Sequence, residues 1–279
     1  MELLLPDFAS GAVWMSLLTL TFLEIVLGID NIIFISIAAG KLQEGQRKKA
    51  TNIGLVLAMV MRIVLLFGIT WLTAMKKPFW VFDESWISGG ISGQALILFA
   101  GGLFLLYKST REIHEKVEHK GHDEVEVKKG RSTSLTKAIV QITMINIVFS
   151  FDSILTAIGM TNGISPDPND ALVLMVIAVV ISVIIMMLFA NPVGEFVNKH
   201  PSIQILGLSF LILIGFMLIA EAAHIGHLIV FGSEVGVIPK GYLYFAIAFS
   251  LLVEFLDLRM KKNTKSEIKE VSSDEELEA

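Results

Sequence analysis

The stretch Thr21–Ile33, TFLEIVLGIDNII, has a second copy in this chain, because Thr143–Leu155, TMINIVFSFDSIL, aligns with it at an offset of 122 residues. Polar and small residues recur every three or four positions in each copy, which places them on one face of a helix. The polar positions of the two copies correspond in pairs: Glu24 with Asn146, Asp30 with Asp152, and Asn31 with Ser153. The sequence therefore predicts two equivalent helices, each with a polar face.

The composition around these copies is that of a membrane protein. Hydrophobic residues make up 54% of the chain, charged residues only 18%, and the mean hydropathy is +0.70, which lies outside the range of ordinary soluble domains. A helix needs about 20 apolar residues to cross a bilayer. On that basis we predict an all-α bundle of about seven spans: Val13–Ala39, Ile53–Ala74, Ile91–Tyr107, Ala138–Met160, Ala171–Ala190, Ile203–Ala223 and Tyr242–Leu258.

The repeat sets the domain organisation. Three spans separate its two copies, so the first and fourth helices run in opposite directions and the two halves are predicted to be inverted repeats, as in many secondary transporters. We expect the fifth span to end at Asn191, because Pro192 disfavours helix at the residue before it. The predicted parts are a first three-helix repeat (1–107), a charged cytoplasmic loop (108–137), a second three-helix repeat (138–224), an outer loop with the seventh helix (225–258), and a cytoplasmic acidic tail (259–279).

Basic residues predict the orientation. With the amino terminus outside and the carboxyl terminus in the cytoplasm, 18 Lys and Arg residues fall on the inner side and three on the outer side. The positive-inside rule favours this topology. The chain has no cysteine, which excludes disulfides and thiolate metal sites.

The acids inside the spans form the candidate site. Each of Glu24, Asp30 and Asp152 costs about 3 kcal/mol at the centre of a bilayer unless something compensates for its charge. Arg62, in the second span, is the candidate counter-ion, expected to lie near Asp30 or Asp152. Carboxylate, amide and hydroxyl oxygens suit hard divalent cations such as manganese, magnesium or calcium. The predicted metal ligands are Glu24, Asp30, Asn31, Asn146, Asp152 and Ser153.

A second pair of candidate ligands lies at the outer end of the sixth span. Glu221 and His224 are three residues apart and share one helical face. They are candidate exit ligands for a transported cation, and interfacial capping is an equally suitable role.

Several motifs resemble the TerC family of integral membrane proteins over nearly the whole chain. They include Glu24–Asn31 (EIVLGIDN), Gly102–Lys108 (GLFLLYK), Phe149–Ser153 (FSFDS) and Leu211–Glu221 (LILIGFMLIAE). The resemblance implies a bacterial inner-membrane protein of about seven helices, distantly similar to lysine exporters, with members linked to manganese efflux. It also implies that Asp30, Asn31, Asp152 and Ser153 are the functional motif positions.

Together these features predict a secondary transporter that exports a divalent metal, with manganese as the expected ion and protons as a candidate coupling ion. The metal is cargo, and we expect no cofactor, no nucleic acid and no catalytic residues, since no hydrolase, nucleotide-binding or metalloprotease motif is present. The alternative is a non-transporting membrane scaffold, or a tellurium-resistance component that recruits partners.

Overall fold

The computed structural model describes residues 6–26, 28–68, 75–118, 134–161 and 168–277 of the chain. Within those ranges, the structure describes the backbone but not the side chains of the following residues: Ile29, Asp30, Asp152, 155–161, 168–170 and 261–277. The chain divides into two compact units, Met1–Val237 and Ile238–Ala279.

Helices dominate the described residues and confirm the predicted all-α membrane fold. The first unit contains α1 (Gly11–Val26), α2 (Ile29–Gly40), α3 (Glu44–Phe67), α4 (Gly93–Glu118), α5 (Leu135–Thr161), α6 (Pro168–Lys199) and α7 (Pro201–Ile225). The second unit is one helix, α8 (Lys240–Leu277), which continues into the predicted acidic tail (259–279).

Five helical stretches in the described part of the chain are long and apolar enough to cross a membrane: Gly11–Gly40, Glu44–Phe67, Ala171–Lys199, Pro201–Ile225 and Lys240–Met260. Large apolar side chains such as Phe22, Val60 and Leu188 are exposed on these helices. Such outward apolar surface is expected when lipid is the solvent. The total of about seven spans stays a prediction.

Several helix pairs pack together in the first unit. α3 packs on α5, and α1 and α2 pack on α6. α4 packs most extensively on α7, where a Cβ added to Gly102 would lie 2.6 Å from the carbonyl oxygen of Gly215. Small residues at such a crossing let two helix backbones approach closely. The division into two three-helix repeats stays a prediction.

The first span comprises two helical segments. α1 ends at Val26 and α2 begins at Ile29, with Gly28 between them in a turn. A Cβ added at Gly28 would lie 2.5 Å from Met186 Sδ and 2.9 Å from the Glu24 carbonyl oxygen, so only glycine fits there without rearrangement. The fourth span, α5, runs without interruption through Ser150, the position equivalent to Gly28.

Two helices extend past their predicted ends. The prediction that the fifth span stops at Asn191 is wrong, because α6 continues through Pro192 to Lys199. Packing beyond the proline favours the helix, since Val197 is buried and Gly194 lies against Ser36 of α2. α4 likewise continues to Glu118, so residues 108–118 of the predicted loop are helical.

A small antiparallel sheet joins two loops that the sequence did not predict to pair. Its strands are β1 (Pro78–Glu84), β2 (Ile87–Ser92), β3 (Ile229–Val230) and β4 (Ser233–Glu234), in the order β1-β2-β3-β4. β3 and β4 form a hairpin whose turn contains Phe231 and Gly232 with positive φ. The sheet connects the start of α4 to the end of α7.

Candidate functional site

An ion pair buried in the bundle forms the centre of the site. Glu24 follows the buried face of α1 one turn after Leu20, and Arg62 belongs to the buried face of α3. The two residues are 5% and 4% exposed, and the Arg62 guanidinium donates a hydrogen bond to the Glu24 carboxylate. Removing only one partner of such a pair is strongly destabilising, because the other charge is left buried without compensation.

Amide side chains from both repeats lie beside Arg62. Asn31 of α2 and Asn146 of α5 line one cavity together with Arg62, Leu55 and Met186. Its volume is about 10 Å³, close to the minimum that one water molecule needs. The two copies of the repeated motif therefore meet at one small, partly polar space.

The two amides differ in their hydrogen bonds. Asn146 Nδ2 donates to the Ile142 carbonyl oxygen at 2.9 Å. Asn31 Oδ1 is buried and has no hydrogen-bond partner within the described residues. An unpaired buried carbonyl oxygen costs free energy, so it is an available ligand for a cation or a water in this cavity.

Of the three remaining predicted ligands, the structure describes the side chain of Ser153 but not those of Asp30 and Asp152. Ser153 is buried in α5, and its hydroxyl donates to the Ser150 carbonyl oxygen at 3.2 Å. Asp30 lies in α2 and Asp152 in α5, but both side chains lie outside the described part of the structure. Arg62 was expected near one of these aspartates, and its described partner is Glu24.

The predicted exit ligands are found at the end of α7 beside the sheet. His224 Nδ1 lies 3.8 Å from Glu234 Oε1, and His227 Nδ1 lies at the same distance from that oxygen. Glu234 and His227 come from the β3–β4 region and were not among the predicted site residues. Among described side chains, no group of three or more His, Asp or Glu residues is placed to hold one metal ion.

A second buried carboxylate lies at the end of the bundle predicted to face the cytoplasm. Glu112, on the extension of α4, is 1% exposed. Its Oε1 accepts from Lys108 Nζ at 2.9 Å, from Gln141 Nε2 at 3.1 Å, and pairs with Lys41 Nζ at 3.2 Å. Burial is the largest influence on the Glu112 pKa and raises it, but Lys41 and Lys108 together outweigh burial and hold this pKa below its ordinary value.

Comparison with known proteins gives the family. The sequence profile of the integral membrane protein TerC family matches residues 9–269. The chain belongs to the TerC family. It is 47% identical over 252 residues to the UPF0053 inner membrane protein YgdQ of Escherichia coli K12, covering 90% of this chain and 94% of YgdQ.

Two further relatives extend this comparison. A UPF0053 protein of Haemophilus influenzae is 44% identical over 258 residues, which cover 92% of this chain and 98% of that protein. The UPF0053 inner membrane protein YoaE of Escherichia coli K12 is 43% identical over 253 residues, which cover 90% of this chain but only 44% of YoaE. No solved structure matches this chain.

The TerC-family motifs coincide with the site. EIVLGIDN contains Glu24, the helix junction at Gly28 and Asn31, and FSFDS ends at the buried Ser153.

Sequence reasoning missed Glu112 because this residue lies among charges of both signs, a pattern typical of a solvated linker. One available signal was the i, i+4 spacing of Lys108 and Glu112, which favours a continued helix.

Proposed function

We propose that this TerC-family protein is a secondary transporter of the bacterial inner membrane that exports a divalent metal cation, with manganese as the cargo. The names of the two Escherichia coli relatives support the location. The charge arrangement in the first unit supports a cationic substrate. In this proposal the amino terminus lies outside the cell and the carboxyl terminus lies in the cytoplasm.

The observation that carries this proposal is the pairing of Arg62 with Glu24 beside Asn31 and Asn146. Because Glu24 already neutralises Arg62, this arginine has no full charge left for Asp30 or Asp152. Two carboxylates in the repeated motif then need a cation or protons. Their oxygens, with those of Asn31, Asn146 and Ser153, make a donor set suited to manganese.

If the carboxylates of Asp30 and Asp152 bind the metal cation and protons in turn, export of the metal is coupled to the proton gradient. The two helical segments of the first span are consistent with such a role, because discontinuous helices form the ion sites of many secondary transporters. The sequence contains no nucleotide-binding motif, so the proposed driving force is the proton gradient or the membrane potential.

The test is cell-associated metal content in a strain that lacks this protein and in the same strain expressing it. We expect the wild-type protein to lower manganese and to leave zinc, iron and cobalt unchanged. Asp30→Asn and Asp152→Asn should each abolish this effect at matched membrane abundance, because either change removes a charge from the shared site. Asp83→Asn, at an exposed position of β1, is the matched control and should behave as wild type.

The double variant sharpens the test. If Asp30 and Asp152 bind one ion, the double variant should be no worse than either single variant, because the unit is already broken. Full export by a well-expressed single variant would refute the shared site. Unchanged content of all four metals in the wild-type strain would refute export and favour a scaffold.

A further inference from the structure

A second, larger cavity lies between α2, α3 and α6, three of the four helices that line the cavity beside Arg62. It has a volume of about 490 Å³ and is formed by the end of α2, the start of α3 and the end of α6. Its deepest residues are the buried Ser36, Thr51, Ala190 and Gly194. We call this space the vestibule.

The two cavities follow one another along each of the three helices. On α3, Thr51 lines the vestibule and Leu55 lines the cavity beside Arg62. On α6, Ala190 lines the vestibule and Met186 the inner cavity. Four residues of helix rise about 6 Å, so a single turn of each helix separates the two spaces.

Two apolar side chains, Leu55 and Met186, line the inner cavity one helical turn from Thr51 and Ala190 of the vestibule, and we call them the Leu55–Met186 layer. Met186 Sδ occupies the space left by the missing side chain of Gly28 at the α1–α2 junction. Methionine is unbranched and has three rotatable side-chain bonds, so Met186 is the more adaptable of these two side chains.

The chemistry of the vestibule suits a hydrated cation better than an apolar ligand. Hydroxyl groups of Ser36 and Thr51 and amides of Asn191 and Asn198 line its inner part. Charges of both signs surround its mouth, from Glu44, Glu195, Arg47, Lys48 and Lys199. Its volume far exceeds the 10–15 Å³ or so that one water needs, so an ion can occupy it with its hydration shell.

We propose that the vestibule is the cytoplasmic access route for the transported cation, and that the Leu55–Met186 layer separates it from the inner site. This proposal rests on the proposed function, because it needs a cation that travels to the site beside Arg62. The predicted orientation places the ends of α2 and α6 and the start of α3 on the cytoplasmic side.

The absence of cysteine allows a direct test by single-cysteine labelling of the full chain in inside-out membrane vesicles. The pair to compare is Ser36→Cys and Ser182→Cys. Both serines are buried, 2% and 0% exposed, and both donate to a backbone carbonyl of their own helix. Only Ser36 lines the vestibule. The probe is the cationic reagent 2-(trimethylammonium)ethyl methanethiosulfonate.

We expect the reagent to modify Ser36→Cys, and likewise Thr51→Cys, several-fold faster than Ser182→Cys. Ser134→Cys, at an exposed position before α5, reports which side of the vesicle is accessible. Equal rates for Ser36→Cys and Ser182→Cys would overturn the vestibule as an aqueous route. This labelling readout does not depend on transport.

A flux measurement completes the test. Modified Ser36→Cys should lose manganese uptake into energised inside-out vesicles, while Ser182→Cys treated identically should keep it. Full uptake after complete modification of Ser36→Cys would overturn the access route. Lack of uptake by untreated wild-type vesicles would instead refute the proposed function, whatever the labelling rates.

Discussion

Glu24 and Glu112 are both buried carboxylates, but the structure compensates for their charges in different ways. Glu24 has one described partner, Arg62, which is buried as deeply as the carboxylate itself. Glu112 is shared by Lys41, Lys108 and Gln141, and the two lysine side chains are 31% and 24% exposed. Loss of Arg62 leaves Glu24 without a described cation, whereas Glu112 can lose one lysine and keep the other.

The difference separates two roles. A one-to-one pair within the bundle fixes the charge beside the proposed ion site, so its loss should affect both folding and transport. The Glu112 cluster ties the ends of α2, α4 and α5 together at the predicted cytoplasmic face. Its loss should affect stability with little effect on ion selectivity.

Arg62→Ala should have the largest effect, because it leaves the Glu24 carboxylate buried without a partner. The loss should be about 3–5 kcal/mol in the free energy of unfolding, measured as membrane abundance and as unfolding of the purified protein in detergent. Arg62→Lys should be milder but not neutral, because lysine lacks the planar guanidinium fork.

A double variant distinguishes a lost partner from lost packing. Glu24→Gln combined with Arg62→Met removes both charges while keeping similar volumes, so it should recover most of the abundance that Arg62→Ala loses. Transport should stay impaired, because Glu24 is a predicted metal ligand and the double variant lacks its carboxylate. Normal abundance of Arg62→Ala would contradict the buried pair.

Glu112→Gln should have an intermediate effect. Glutamine keeps an acceptor for Gln141 but gives up the charge-assisted bonds to Lys41 and Lys108, at about 2 kcal/mol of stability near neutral pH. The wild-type contribution should also depend on pH. Since the folded state holds the Glu112 pKa below its ordinary value of 4.5, this stability is present above pH 4.5 and is lost as the pH falls through the folded pKa.

The measurement is the unfolding temperature in detergent, recorded from neutral pH to below 4.5. Wild type and Glu112→Gln should differ at neutral pH and converge on acidification. The exposed Glu44→Gln is the control and should track wild type. A constant difference at every pH would mean that the charge of Glu112 does not contribute.

The same comparison explains how far the sequence could predict the structure. The polar stripe predicted one polar face on the first and fourth spans, and in the structure Glu24, Asn31, Asn146 and Ser153 are all buried. Periodicity alone places such residues on one face of a helix. It could not predict which carboxylate Arg62 would pair with, because the partner depends on how α1 and α3 are placed in the folded bundle.

The burial of Glu112 also could not be predicted from the local sequence pattern. It arises because α4 continues past the apolar segment and brings Glu112 against Lys41 at the end of α2 and Gln141 near the start of α5. The stop predicted at Asn191 was wrong for a related reason. The local preference of the residue before Pro192 was weaker than the packing of α6 against α2 beyond it.

The lysines around Glu112 provide the smallest single effects and the sharpest test of redundancy. Lys41→Met and Lys108→Met each remove one partly exposed cation and keep an apolar stem, so each should cost less than about 1 kcal/mol. Either variant leaves the other lysine and Gln141 on the carboxylate. The double variant leaves a buried carboxylate with Gln141 as its remaining described donor. The stability lost in the double variant should exceed the sum of the single losses by at least about 0.5 kcal/mol.

Lys49→Met, at an exposed position of α3, is the control for loss of a basic residue. Unfolding in detergent at neutral pH measures all four variants. Strictly additive losses would show that the two lysines act independently, and this result would contradict the proposed redundancy at Glu112.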